Sequence, residues 1–237
     1  MDKEQIIASM ATREFIYRYL SRFYVSYVDM DFLKTIESDA ATGHIKLFCG
    51  EENIANAFQK LLRETAFTYD FDPEETGELV SLRRAYDDLF VKGKKALGKG
   101  CETFYGASQS EGSQSTISQI RDVFEKYDFS VGAGLRQPVD FLGCELEFMT
   151  EMAHKTKAAL IVGNFAGALD LLYEQLNFLR EHLSYLISCF TTRLRAYAAS
   201  VADFYLYAAE LSLHVCRYDE NYLQRIIDGI SEATSSH

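Results

Sequence analysis

The chain has 237 residues, 48% hydrophobic and 14% aromatic, with 15 tyrosines, 17 phenylalanines, two prolines and no tryptophan. That describes a core-forming chain of one large domain and excludes disorder and collagen-like repeats. Lys and Arg number 24 against 35 Asp and Glu, a net charge of −11. This argues against a general nucleic-acid binder, whose affinity comes from cations facing phosphates, and suits cationic or polypeptide partners.

At the N-terminus, Asp2 and Glu4 precede any apolar run and Glu14 follows, so neither a secretory signal nor a transit peptide is predicted and a cytoplasmic location is expected. Ile16, Leu20, Phe23 and Tyr27 recur at helical spacing, followed by Phe32, Leu33 and Ile36 on a short helix and Ile54, Phe58, Leu61 and Leu62 on another. Asp72 as N-cap, Pro73 at the first helical position and Glu75 two residues further open a helix predicted to run to about Val91. Its apolar face is Leu79, Leu82, Tyr86, Leu89 and Phe90. Gly93 to Gly100 has the spacing of a phosphate loop, but Gly100 stands where a metal-binding hydroxyl belongs and a helix, not a strand, precedes it. The lysines there (Lys92, Lys94, Lys95, Lys99) read instead as complement to a helix C-terminus.

Gly98 to Ser118, rich in Gly, Ser and Gln, reads as a long loop, with residues 98–116 joining sub-blocks 1–97 and 117–237. The second block opens with Ile117, Ile120, Val123, Phe124 and Tyr127, breaks at a hinge from Ser130 to Asp140 that holds Pro138, and resumes as a helix. These two connections would permit exchange of the blocks in a swapped dimer. In the resumed helix Leu142, Leu146, Met149 and Ala153 share a core face, leaving Glu147 the more exposed acid. Glu151 and His154 have the E-x-x-H spacing of one half of a carboxylate-bridged metal pair, with Glu145 and Glu147 nearby. No other histidine is preceded by Glu at that spacing, so the second copy such a site needs is missing, and a helical-bundle metalloenzyme is kept only as the runner-up from another functional class.

Leu169, Leu172, Leu176, Leu179 and Leu183 mark one helix face, and the same alternation from Phe190 to Val215 predicts a long core helix. Asp219 is placed as the N-cap of a last helix carrying Tyr222, Ile226 and Ile230. The most apolar stretch, Ala158 to Leu169, is shorter than the ~20 residues that span a bilayer. Five cysteines (Cys49, Cys101, Cys144, Cys189, Cys216) contain no C-x-x-C pair and fit a reducing compartment. Strand-like alternation is scarce. The predicted fold class is all-α, a single domain of about ten helices, without a recognisable enzyme signature.

Four segments, read in order, resemble the TorD/DmsD family of cytoplasmic molybdoenzyme chaperones, with the related NarJ-type group behind it. They are R-E-F-I-Y-R-Y-L-S-R-F-Y (Arg13 to Tyr24), L-R-R-A-Y-D-D-L-F (Leu82 to Phe90), C-E-T-F-Y (Cys101 to Tyr105), and Ile120 to Met149 with P-V-D-F-L-G-C-E-L-E-F-M. The last is similar to a family pattern of Pro-x-Asp-His, a small residue and Glu-Leu-x-Phe-Met, with Phe141 standing where the family usually has His. The resemblance implies a non-enzymatic chaperone, with no cofactor of its own and no stable membrane insertion. It would hold an immature molybdopterin oxidoreductase subunit, through a twin-arginine leader or otherwise, until cofactor loading. The NarJ-like alternative has a leaderless client. The implied client-binding residues are Tyr86, Leu89, Phe90 and Tyr105 for an apolar segment, and Asp140, Glu145 or Glu147 for arginines. Glu102, Pro138 and Phe141 are counted with them as client-binding, Pro138 by setting the helix start and turn.

Overall fold

A computed structural model describes residues 2–48, 52–69, 77–92, 100–105, 112–131, 137–196 and 203–235. The fold is all-α. Its helices are α1 (Lys3–Val25), α2 (Met30–Glu37), α3 (Asp39–Phe48), α4 (Glu52–Tyr69), α5 (Gly77–Tyr86), α6 (Gly112–Lys126), α7 (Leu142–Ile161), α8 (Phe165–Phe178), α9 (Ser184–Ala196) and α10 (Asp203–Ser235). Their starts are chemically marked. Asp2 and Gln5 form a capping box on α1, Asp29 accepts from the Phe32 amide at 2.8 Å, and Asn164 accepts from the Gly167 amide at 3.0 Å. The α7–α8 turn is closed by Gly163 at φ +77°, where a side chain would be strained.

Helix α7 is the centre of the fold. It buries residues on nearly every face, among them Leu146, Phe148, Met149 and Met152, between α1 and α8. The α1–α7 approach is close enough that a Cβ on Gly143 would stand 2.6 Å from Val25 Cγ1 and 3.0 Å from the Phe141 ring. On the other side α10 lies along α4, α8 and α9. The two sub-blocks read from sequence are therefore interlocked through α1 on α7 and α4 on α10.

A polar network joins four helices inside this core. Arg13 on α1 makes a two-pronged pair with Asp219 on α10, Nε to Oδ1 and Nη2 to Oδ2, both at 2.8 Å. Tyr17 donates to Asp219 at 2.6 Å. Arg13 Nη1 donates to Gln175 on α8 at 2.6 Å, and Gln175 donates to Thr156 on α7 at 2.8 Å. Asp219 is thus a buried counter-ion in the interior of α10 and not an N-cap: aspartate suits both roles, and its cation lies too far away in sequence for local reading to find.

Three other expectations are corrected. Tyr27 lies beyond the end of α1, exposed, and its hydroxyl donates to Asp87 at 2.6 Å. The stretch 98–116 is not one loop: Glu102–Phe104 forms a 3-10 turn and α6 begins at Gly112. Polar residues such as Ser and Gln cost a helix little, and buried Ile120 and Phe124 anchor α6. The long helix predicted from Phe190 to Val215 is divided, α9 ending at Ala196 and α10 starting at Asp203, because both bury apolar faces in one core and so carry a single continuing period. The Asp72–Glu75 cap, the Gly93–Lys99 stretch and the Gly-rich part of the 130–140 hinge lie outside the described residues.

Candidate functional site

The residues singled out from sequence gather around three pieces: the π-helical turn Asp87–Val91 that continues α5, the segment 100–105, and the start of α7. Their aromatic half is mostly core. The Phe90 ring meets Tyr86 at 5.0 Å, Phe141 and Phe190 at 5.8 Å each, and Tyr24 and Tyr205 at 6.1 Å each. Tyr86 is buried, donates to the Tyr24 carbonyl at 2.7 Å, and burial pushes its phenol up to about 12. Leu89 is wholly buried, while Phe90 and Tyr105 stay partly open. Phe141 fills the space beneath the chain at Gly100, where a Cβ would approach its ring to 3.0 Å. An apolar ring suits that position better than the imidazole of the family pattern.

The acidic half is arranged differently from a solvated helix face. Pro138 is exposed and its carbonyl accepts from the Phe141 amide at 3.1 Å, a turn that starts α7 at Leu142. Asp140 does not cap that helix. Its Oδ2 accepts from the Thr103 amide at 3.0 Å and from the Thr103 hydroxyl at 2.7 Å, tying segment 100–105 to α7. Glu102 is buried, and His182 Nδ1 donates to its Oε2 at 2.9 Å. Glu145 is wholly buried, and neither of its carboxyl oxygens has a partner among the described residues. Burial, with the Glu102 and Asp140 carboxylates facing it, raises its pKa well above the ordinary carboxylate range. Burial also raises the half-buried Glu147, and with Glu147, Glu145 and Asp140 nearby the Cys144 thiol is pushed up to about 12.

The structure therefore brings Glu102, Asp140 and Glu145 together and leaves Glu147 more accessible than Glu145. The runner-up ligand set does not converge. His154 Nδ1 faces Glu14 on α1 at 3.3 Å, Glu151 pairs with Lys155 at 3.7 Å, and no group of three or more metal-type side chains occurs among the described residues. Sequence reading missed His182, Thr103 and Arg193, whose guanidinium lies 4.9 Å from the Phe104 ring centre. Glu102 and His182 are 80 positions apart, and no local pattern connects them.

Comparison with known proteins decides the family. The profile described as "Nitrate reductase delta subunit" matches residues 51–191, more than half of the chain and every piece of the site. The chain belongs to that family. No curated protein and no solved structure matches it closely enough to add a second line of comparison. The nitrate reductase delta family is one of molybdoenzyme assembly chaperones, acting with nitrate-reductase-type subunits. It is the NarJ-type group that stood behind the TorD/DmsD resemblance. Among the described residues no helix is long and apolar enough to cross a membrane.

Proposed function

We propose that this protein holds the immature catalytic subunit of a nitrate-reductase-type molybdoenzyme by an arginine-bearing leader at its N-terminus until the cofactor is in place. The family match over residues 51–191 carries the chaperone part of this reading. The leader part is supported by the meeting of Asp140 and Glu145 next to segment 100–105, with the partly open rings of Phe90 and Tyr105 in the same three pieces. Arginines followed by an apolar stretch complement acids beside aromatic side chains. No reaction is assigned to the protein, which acts by binding.

A second reading, favoured by the match to the delta-subunit family itself, has a client without a twin-arginine leader. Affinity capture of the tagged protein from a lysate containing the candidate subunit, with and without its leader, separates the two. The leader reading expects recovery to fall at least about tenfold when the leader is deleted, the equivalent of ~1.4 kcal/mol of binding. Equal recovery of the leaderless subunit would establish the second reading in its place.

A further inference from the structure

Segment 100–105 is held to α7 by a small set of bonds that converge on Asp140. The Glu102 amide donates to the Asp140 carbonyl at 3.0 Å, and the Thr103 amide and hydroxyl both donate to Asp140 Oδ2. The Leu142 amide donates back to the Gly100 carbonyl at 2.6 Å. The segment is also tied to residues 182–185: Glu102 bonds to His182, and the Tyr105 carbonyl accepts from the Tyr185 hydroxyl at 2.9 Å.

Next to this segment are three carboxyl oxygens, Asp140 Oδ1 and both oxygens of Glu145, that are buried and have no donor among the described residues. Thr103 satisfies one edge of Asp140 only, and His182 is engaged with Glu102. A set of buried acceptors short of donors is complementary to a group rich in donors and positive charge. The guanidinium of arginine, planar and with five N–H donors in a fixed fork, is the side chain that can serve two carboxyl groups at once.

Resting on the leader reading above, we propose that residues 100–105 are a strap over an arginine site: a client guanidinium binds between Asp140 and Glu145 when the strap lifts, taking over the donors that Thr103 supplies in the free protein. Strap release and client binding are then one equilibrium. Glu102, an acid on the face of it suited to arginine, works against binding, because its bond to His182 lowers the population of the open form, and apparent affinity falls with that population.

The test uses the full chain and a synthetic peptide with two arginines followed by an apolar segment, titrated calorimetrically, beside the same peptide with both arginines replaced by lysine. Circular dichroism checks the fold of every variant. Glu102→Gln and Thr103→Val are each expected to bind the arginine peptide about tenfold more tightly than wild type, and Glu145→Gln about tenfold more weakly. Thr103→Val leaves the Glu102–His182 bond in place, so the two strap variants check each other. The amides of Glu102 and Thr103, hydrogen-bonded to Asp140 in the free protein, are expected to be protected from hydrogen exchange there and to lose that protection in the complex. The lysine peptide, lacking the fork, is expected to bind at least about tenfold more weakly. If the arginine peptide binds, the amides stay protected and both strap variants bind no better than wild type, the strap is overturned and the leader reading stands. If neither wild type nor the strap variants bind the peptide, both fall.

Discussion

Asp219→Ala is expected to lower the stability of the fold by about 3–5 kcal/mol, the usual result of leaving one member of a buried ion pair uncompensated. Arg13 and Asp219 are both wholly buried, and among the described residues the guanidinium would keep Gln175 and the Met10 sulfur as hydrogen-bond partners and the Tyr17 ring at 5.6 Å, with no counter-charge. A domain of this kind has about 5–15 kcal/mol to lose, so the variant sits near the edge of folding at physiological temperature. The pair is worth less than its deletion suggests, because both groups were desolvated to make it. The double variant Arg13→Met, Asp219→Leu is therefore expected to regain most of the loss. Urea unfolding at neutral pH measures all three proteins. A loss below about 1 kcal/mol in Asp219→Ala would mean that the network linking α1, α7, α8 and α10 does not hold the fold.

Glu145→Gln is expected to have the opposite sign, stabilising the protein at alkaline pH. Glu145 faces the carboxylates of Glu102 and Asp140, and the thiols of Cys144 and Cys216 are also close enough to interact with it. A carboxyl whose folded pKa lies above its unfolded value binds more protons in the folded state. Its contribution to stability is whole below the ordinary carboxylate pKa and declines as pH rises from there through the folded pKa. Glutamine cannot ionise, so the variant loses that decline. Unfolding midpoints from pH 5 to pH 9 are expected to fall for wild type and to hold more nearly level for Glu145→Gln. The difference should reach about 1–3 kcal/mol at the alkaline end, because ionised Glu145 would carry an unpaired buried charge where glutamine stays neutral. Parallel curves would show that Glu145 is satisfied in the folded protein. Together with the weaker peptide binding expected of the same variant, a gain here would mark Glu145 as a residue whose presence costs stability and serves binding.

The all-α class was readable because helical periodicity is local: Leu172, Leu176, Leu179 and Leu183 are all buried, as their spacing implies. The core face Leu142, Leu146, Met149 and Ala153 and the greater openness of Glu147 were legible for the same reason. Roles set by distant partners were not. Asp140 looks like a cap two residues past a proline, yet it binds Thr103 from 37 positions away. Asp219 looks like another cap, yet it answers Arg13 from 206 positions away. Aromatic spacing at Tyr86, Leu89 and Phe90 fits either a groove or a core. Only the arrival of Tyr24, Phe141, Phe190 and Tyr205 shows how much of it is core.

The central claim is that this delta-subunit family member recognises its client before the cofactor is loaded. Native mass spectrometry of the purified protein mixed with the catalytic subunit, prepared once without cofactor and once fully loaded, tests it most directly. A complex with the cofactor-free subunit is expected that is lost, at least about tenfold in population, with the loaded one, a difference of ~1.4 kcal/mol or more between the two states. Equal binding to both forms, or none to the cofactor-free subunit, would contradict it.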